Sequence, residues 1–178
     1  AKNNGNLNVS IITKANIMKK TDGKFLSLCY EMAKEYPEIK TDDWYVDICA
    51  ANLINDQINS NFNVFILPNL YGDIITDEAA QIQGGVGTAG SANIGNRYAM
   101  FEAIHGSAPR MVKDGIAEYA NPASLLKACE MMLRHIGYTN KAEKLCALVD
   151  EASAALDMPG DGTGNTAAEF TDFILQKL

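Results

Sequence analysis

Apolar positions follow two rhythms along this chain. Short β-branched or continuous apolar runs mark strands: "NVSIIT" at 8–13, "WYVDI" at 44–48, "NVFILP" at 63–68 and "AMFEAI" at 99–104. Elsewhere apolar residues recur every three or four positions, the spacing of one helix face. Phe25, Leu28, Cys29, Met32 and Tyr36 keep that spacing up to Pro37, which marks the stop. "CAANLINDQI" (49–58) predicts a second helix, and a third begins near Gly72. After Gln83 the rhythm breaks, and "GGVGTAGSANIGNRY" predicts no regular element. A helix is predicted over 122–136, with Pro122 in its first turn and Leu125, Leu126, Cys129, Met132, Leu133 and Ile136 as its apolar face. Another follows over 140–156. "TAAEFTDFILQKL" closes the chain as a helix capped by Thr166, with Glu169 three residues on. Strand and helix alternate, and "NVFILP" reads as a strand covered on both faces. The pattern therefore predicts an α/β fold with a parallel sheet, and a domain boundary near 83–97.

Composition narrows the class. The chain has 178 residues, 47% of them apolar and 21% charged, with a net charge of −7. That length can bury a sizeable core. The acidic balance and the lack of a basic cluster argue against a nucleic-acid partner. No apolar run approaches the roughly 20 residues that span a bilayer, so no membrane partner is expected. The polar start, "AKNNGNLN", has no apolar core of a signal peptide. Cys29, Cys49, Cys129 and Cys146 are far apart and form no C-x-x-C. They are expected to be buried, reduced thiols of a cytoplasmic protein, and neither a disulfide framework nor a zinc site.

Candidate chemistry centres on "NLYGDIITDEAAQ", directly after the "NVFILP" strand. Asp73 and Asp77 are four apart, so a helix places both on one face. One reading makes Asp73 an N-cap and Asp77 a solvated acid near the helix start. The other makes them ligands of Mg²⁺ or Mn²⁺, hard cations that take a few carboxylates and complete their shell with substrate or water. Asp47 ends the "WYVD" run, another strand exit where ligands of parallel sheets gather. "GVGTAG" at 85–90 has the form G-x-G-x-x-G, but it neither follows a strand nor opens a helix, so the dinucleotide fingerprint lacks its context. Of the two histidines, His135 is expected to pack or cap at a helix end.

Six segments occur in the order found in one enzyme family: "ITKANIMKKTDGKF", "NLYGDIITDEAAQ", "GGVGTAGSANIG", "MFEAIHGSAP", "YANPASLLKACEMMLRHIG" and "GDGTGNTAAEFTDFI". From about residue 8 to its end the chain resembles the isocitrate and isopropylmalate dehydrogenases, the metal-dependent β-decarboxylating dehydrogenases. The resemblance implies that family's α/β fold, represented by its C-terminal part. Residues 1–83 would belong to the smaller, dimer-forming domain and 84–178 to the C-terminal part of the large, cofactor-binding domain.

The resemblance also implies roles. Metal carboxylates fall on Asp73 and Asp77, and a third, given by the partner subunit in the family, on Asp47. The catalytic lysine falls on Lys14 and serves the other subunit's active site, so a homodimer or higher oligomer is implied. Asn16 falls near substrate and nicotinamide. His105, Gly106, Ser107 and Ala108 match the loop that contacts the adenosine part and its phosphates. Asn121 matches the adenine-reading asparagine, and Glu102 an acid near the nicotinamide ribose. The implied reaction oxidises an isocitrate-like 2-hydroxy acid and releases its β-carboxylate as CO₂, with Mg²⁺ or Mn²⁺ and NAD or NADP. Arg110 departs from the pattern: NAD users commonly carry aspartate there and bacterial NADP users lysine. A guanidinium favours phosphate, which leans toward NADP, while the usual second phosphate contacts are not evident in "MPGDGTGN".

"NLYGD", "SANIG" and "MMLRHIG" look more like isocitrate than isopropylmalate dehydrogenases. The family's first half, with its substrate-reading segment and catalytic tyrosine, has no counterpart here. The expectation is therefore a fragment of a longer enzyme, inactive alone. The competing expectations are a 3-isopropylmalate or related 2-hydroxy-acid dehydrogenase, and a non-catalytic regulatory or dimerisation subunit of the same fold.

Overall fold

The computed structural model describes residues 1–3 and 5–178, with Val86 described by its backbone alone. The chain divides into two compact units, Ala1–Ile82 and Gln83–Leu178.

The first unit is built on a three-stranded parallel sheet in the order β2-β1-β3. The central strand β1 (Asn8–Thr13) pairs with β2 (Lys40–Tyr45) on one side and β3 (Val64–Ile66) on the other. Ile11, Ile12 and Thr13 are each fully buried, as a central parallel strand covered on both faces requires. Helix α1 (Asp22–Ala33) links β1 to β2, α2 (Val46–Leu53) follows β2, and α3 (Asn69–Ile82) follows β3. Ile12, Cys49, Leu53 and Ile75 form the core, with Trp44, Phe62 and Phe65 packed against it. The Trp44 and Phe62 rings meet edge-on at 5.3 Å.

Two sequence expectations shift here. "WYVDI" is not one strand: β2 ends at Tyr45, and Val46, Asp47 and Ile48 open α2. Asp47 suits that first turn because a carboxylate there complements the helix dipole. Helix α3 begins at Asn69, not near Gly72, and the Gly72 N–H already donates to Pro68 O at 2.9 Å. Asp73 therefore lies inside the helix and is not its N-cap.

The second unit pairs a hairpin with a helical layer. Strands β4 (Gly90–Ile94) and β5 (Ala99–Ala103) are antiparallel, Gly90 opposite Ala103 and Ile94 opposite Ala99. The glycine-rich segment thus contains a strand where none was expected. Its hydrogen bonds come from β5, a partner that composition does not announce. Helices α4 (Pro109–Lys113), α5 (Ala123–His135), α6 (Thr139–Ala155) and α7 (Ala167–Leu175) complete the unit. Gly90 explains how close β4 comes to α5: a Cβ there would sit 2.4 Å from Ala128 N.

Helix α5 is covered on two sides. Toward the hairpin, the buried Ser124 donates its Oγ–H to Ala89 O (2.6 Å) and accepts the Ile104 N–H (3.1 Å). Toward α6 and α7, Leu126, Cys129 and Leu133 pack on Val149, Ala152, Phe170 and Ile174. Leu125, Met132 and Ile136, expected in the apolar face, are exposed. The small residues Ser124 and Ala128 are buried instead, because close approach to a strand selects size over hydrophobicity. His135 ends α5 with its ring 5.5 Å from Phe101. The capping box of α7 forms as its sequence predicts, Thr166 and Glu169 exchanging side chain-to-backbone hydrogen bonds.

All four cysteines are unpaired, but only Cys49 is buried; Cys29, Cys129 and Cys146 are partly accessible. Among the described residues no helix is long and apolar enough to cross a membrane.

Candidate functional site

Each unit presents its own set of candidate side chains. In the first, Lys14 leaves the buried end of β1 in a loop that Asp22 closes. Asp22 is 6% exposed and accepts the Lys14 backbone N–H at 2.8 Å. The Ile17 and Met18 N–H groups both donate to Lys14 O, so the loop is a compact turn. Tyr71, from α3, places its hydroxyl 3.4 Å from Met18 Sδ, and its pKa is pushed up by desolvation first and by Asp22 second. This backing of the lysine was not foreseen; the acid in "KKTDG" is the signal that marks it.

The Lys14 side chain turns to α2. Its Nζ donates to Asp47 Oδ1 at 2.6 Å and lies 5.8 Å from the Tyr45 ring centre. The hydrogen bond from Lys14 is the main reason the Asp47 carboxyl stays below the usual carboxylate range; its own backbone and Ile48 add to it. Lys14 and Asp47 are thus one local pair. Asn16 is exposed on the same loop.

Asp73 and Asp77 are exposed on one face of α3, and among the described residues their carboxylates have no hydrogen-bond or ion-pair partner. Their donor chemistry fits a hard divalent cation, which takes carboxylate oxygens and completes its shell from elsewhere. Asp47 does not join them: among the described residues no group of three metal-ligating side chains is gathered.

In the second unit the β5–α4 loop, the chain before α5 and the loop after α6 border an open cavity of about 340 Å³. His105, Gly106 and Ala108 line it with Asn121. Asn121 Oδ1 accepts the Ala123 N–H at 2.9 Å, which orients the side chain at the start of α5. His105 Nδ1 lies 2.9 Å from Gly106 O. Ala108 holds a left-handed φ of 46°, the one such non-glycine among the described residues, and turns the loop into α4. Met158, Pro159 and Gly160 supply the opposite wall. They come from the "MPGDGTGN" segment, whose proline and glycines signal a shaped loop without showing what it faces.

Ser107 is exposed and does not line this cavity. Arg110 lines an adjoining concavity with Asp114 and Asp161, its side chain 93% exposed and its Nε 3.5 Å from Asp114 Oδ2. Glu102 lies outside both, on β5, where it accepts a hydrogen bond from Asn93 at 2.8 Å.

Comparison with known proteins covers both units. The family model described as isocitrate/isopropylmalate dehydrogenase matches residues 1–175. A 3-isopropylmalate dehydrogenase of Archaeoglobus fulgidus is 43% identical over 151 residues, 85% of this chain and 45% of that protein. An NADP isocitrate dehydrogenase of Rickettsia prowazekii is 52% identical over 134 residues, 75% of this chain and 27% of its own length. A mitochondrial NAD isocitrate dehydrogenase catalytic subunit of Arabidopsis thaliana is 41% identical along all of this chain, which spans 47% of it. The crystal structure of isocitrate dehydrogenase from Methylococcus capsulatus superposes with a TM-score of 0.89 at 37% identity, covering 99% of this chain and 52% of that one. The chain thus spans between about a quarter and about half of the length of these relatives. Fold, motifs and family model agree, and the chain belongs to the isocitrate/isopropylmalate dehydrogenase family.

Proposed function

We propose that this chain supplies the metal-carboxylate and adenosine-binding parts of an NAD(P)-dependent isocitrate dehydrogenase. The observation that carries this reading is the unpartnered Asp73–Asp77 pair on one face of α3, in a chain of this family. A divalent cation held there would supply Lewis-acid polarisation of a substrate hydroxyl and its adjacent carboxylate. Lys14 would hold and return the hydroxyl proton at Nζ. Its pairing with Asp47 keeps both groups together, which suits delivery of the two as one unit to a second subunit of a homodimer. Asp22 would keep the lysine loop in place. His105, Gly106 and Ala108 would cradle the adenosine part of the cofactor and Asn121 would read its base; Asn16 and Glu102 would serve the nicotinamide end. Domain roles follow: 1–83 for dimer formation and metal, 84–178 for cofactor.

The relatives include both isocitrate and isopropylmalate dehydrogenases, and isocitrate is favoured here by "NLYGD", "SANIG" and "MMLRHIG". Retention of Lys14, Asp73 and Asp77 together speaks for a catalytic protein and against a regulatory subunit. The test is direct binding. Mn²⁺ should broaden the NMR signals of residues around Asp73 and Asp77 in this chain, and Asp77→Asn should abolish the broadening. Equal broadening in the variant would refute the assignment. Arg110→Asp in the enzyme that contains this segment should move cofactor preference from NADP toward NAD; an unchanged ratio would remove Arg110 from that role.

A further inference from the structure

Helices α5 and α6 bring a thiol, an amine and a carboxylate together, and none of the three lines the cofactor cavity. Lys127 reaches from α5 to α6, where its Nζ lies 3.3 Å from Cys146 Sγ and 2.5 Å from Asp150 Oδ1. Asp150 is one turn beyond Cys146, and its other oxygen, Oδ2, lies 3.8 Å from the same sulfur. The carboxylate therefore bridges the nucleophile and the amine. The Lys127 side chain is only 18% exposed, so its amine is held in place, whereas Asp150 is 65% exposed and Cys146 is partly accessible to a small solute. Cys29 and Cys129 are also partly accessible, but among the described residues neither has a polar side-chain partner. Among the accessible thiols of the described residues, Cys146 alone has a fixed side-chain nitrogen within reach.

We propose that Cys146 and Lys127 are a modification site: hydrogen peroxide drives a covalent bond between Cys146 Sγ and Lys127 Nζ. In the first step Asp150 or solvent takes the thiol proton. The sulfur attacks a peroxide oxygen, an S–O bond forms, the O–O bond breaks, and the departing hydroxide takes that proton and leaves as water, so that Asp150 is again a carboxylate. Cys146 is then a sulfenic acid and the peroxide is reduced. In the second step Lys127 passes one proton to Asp150, and its lone pair attacks the sulfur. The S–N bond forms as the S–O bond breaks, and the leaving hydroxide takes a second proton from nitrogen and departs as water. The sum is one thiol, one amine and one peroxide giving one sulfenamide and two waters. Sulfenic acids condense with a nearby backbone nitrogen, and a lysine nitrogen can take that place where geometry supplies one. Here it does, at a separation in the near-attack range of about 3–3.5 Å. A thiol reductant restores both side chains by attack at the sulfur. The bond joins two packed helices, so it would raise the thermal stability of the second unit.

The test uses the whole chain exposed to peroxide, with dimedone as the probe for free sulfenic acid. The expected result is a mass loss of two hydrogens, reversed by dithiothreitol. Non-reducing peptide maps should show the Lys127 and Cys146 peptides joined, with little dimedone on Cys146. Lys127→Arg keeps the charge facing Asp150 but makes a poor nucleophile; in it dimedone should label Cys146 strongly. Cys129 serves as the internal control for ordinary oxidation. Equal dimedone labelling of Cys146 with and without Lys127, or oxidation of Cys146 no faster than of Cys129, would overturn the proposal. So would the absence of joined peptides in the oxidised wild-type chain.

Discussion

Helices α1 and α5 carry apolar stripes of similar spacing, yet they end differently. From the stripe of α5, Leu126, Cys129 and Leu133 meet α6 and α7 while Leu125, Met132 and Ile136 stay exposed, and the core they join closes around Phe170 and Val149, both fully buried. The stripe of α1 meets the sheet only along one margin. Leu28, Met32 and Tyr36 remain exposed, at 48%, 56% and 42%, and with Phe25, Val9 and Ile66 they border an apolar cavity of about 460 Å³. Periodicity states which face of a helix seeks cover; it does not state whether this chain supplies the cover. The two units differ in the same sense. The second gathers most of its expected cofactor residues around one cavity. The first holds its candidate groups in two separate pairs, Lys14 with Asp47 and Asp73 with Asp77, all exposed except the half-buried Lys14.

The largest test of that contrast is Phe170→Ala. It should cost about 3–5 kcal/mol and unfold the second unit at much lower denaturant, because the closed core cannot refill the space. A cost below about 1 kcal/mol would mean that the core is not closed. Next, Gly90→Ala should cost about 1–3 kcal/mol, since a methyl group would press on the Ala128 backbone and force β4 away from α5. A variant as stable as the parent would show that the hairpin is free to move. Thr166→Ala should cost about 1 kcal/mol by removing the α7 cap, measured by the same unfolding curves. Met32→Ser should change stability by less than about 0.5 kcal/mol, because the side chain is already exposed; it should also reduce binding of a hydrophobic dye. A large loss there would show that α1 is covered after all.

The smallest effect is electrostatic. The folded pKa of Asp47 lies below its unfolded value of about 3.9, so its stabilisation is present above that pH and is lost as pH falls through the folded value. The Asp47 side chain is 58% exposed, and salt should screen the effect. Lys14→Met should let the Asp47 carboxyl rise into the usual range in an NMR titration. An unchanged titration would break the pair.

Much of this was legible in advance where the signal is local. Strand β1, helices α1, α5 and α6, and the α7 cap depend on spacing and neighbours within a few residues. Strand β4 was not legible, because "GSANI" becomes a strand only when "AMFEA" lies beside it. The start of α2 was misread because Val46 and Ile48 carry β-branched side chains that suit either state. Its helix is decided by packing, with Val46 and Cys49 around Ile12. Asp73 and Asp77 could be placed on one face from their spacing, but their lack of a competing partner among the described residues could not.

The sequence by itself determined the family, the α/β alternation and the identities of the chemical groups, because each is carried by short segments read in order. Tertiary structure alone decided which of those groups meet. It paired Lys14 with Asp47 across thirty-three positions and backed the lysine loop with Tyr71. It set Lys127 against Cys146 and drew a proline–glycine loop over the wall opposite His105. These are contacts between distant parts of the chain, and distance along a sequence carries no information about distance in space until the core has packed.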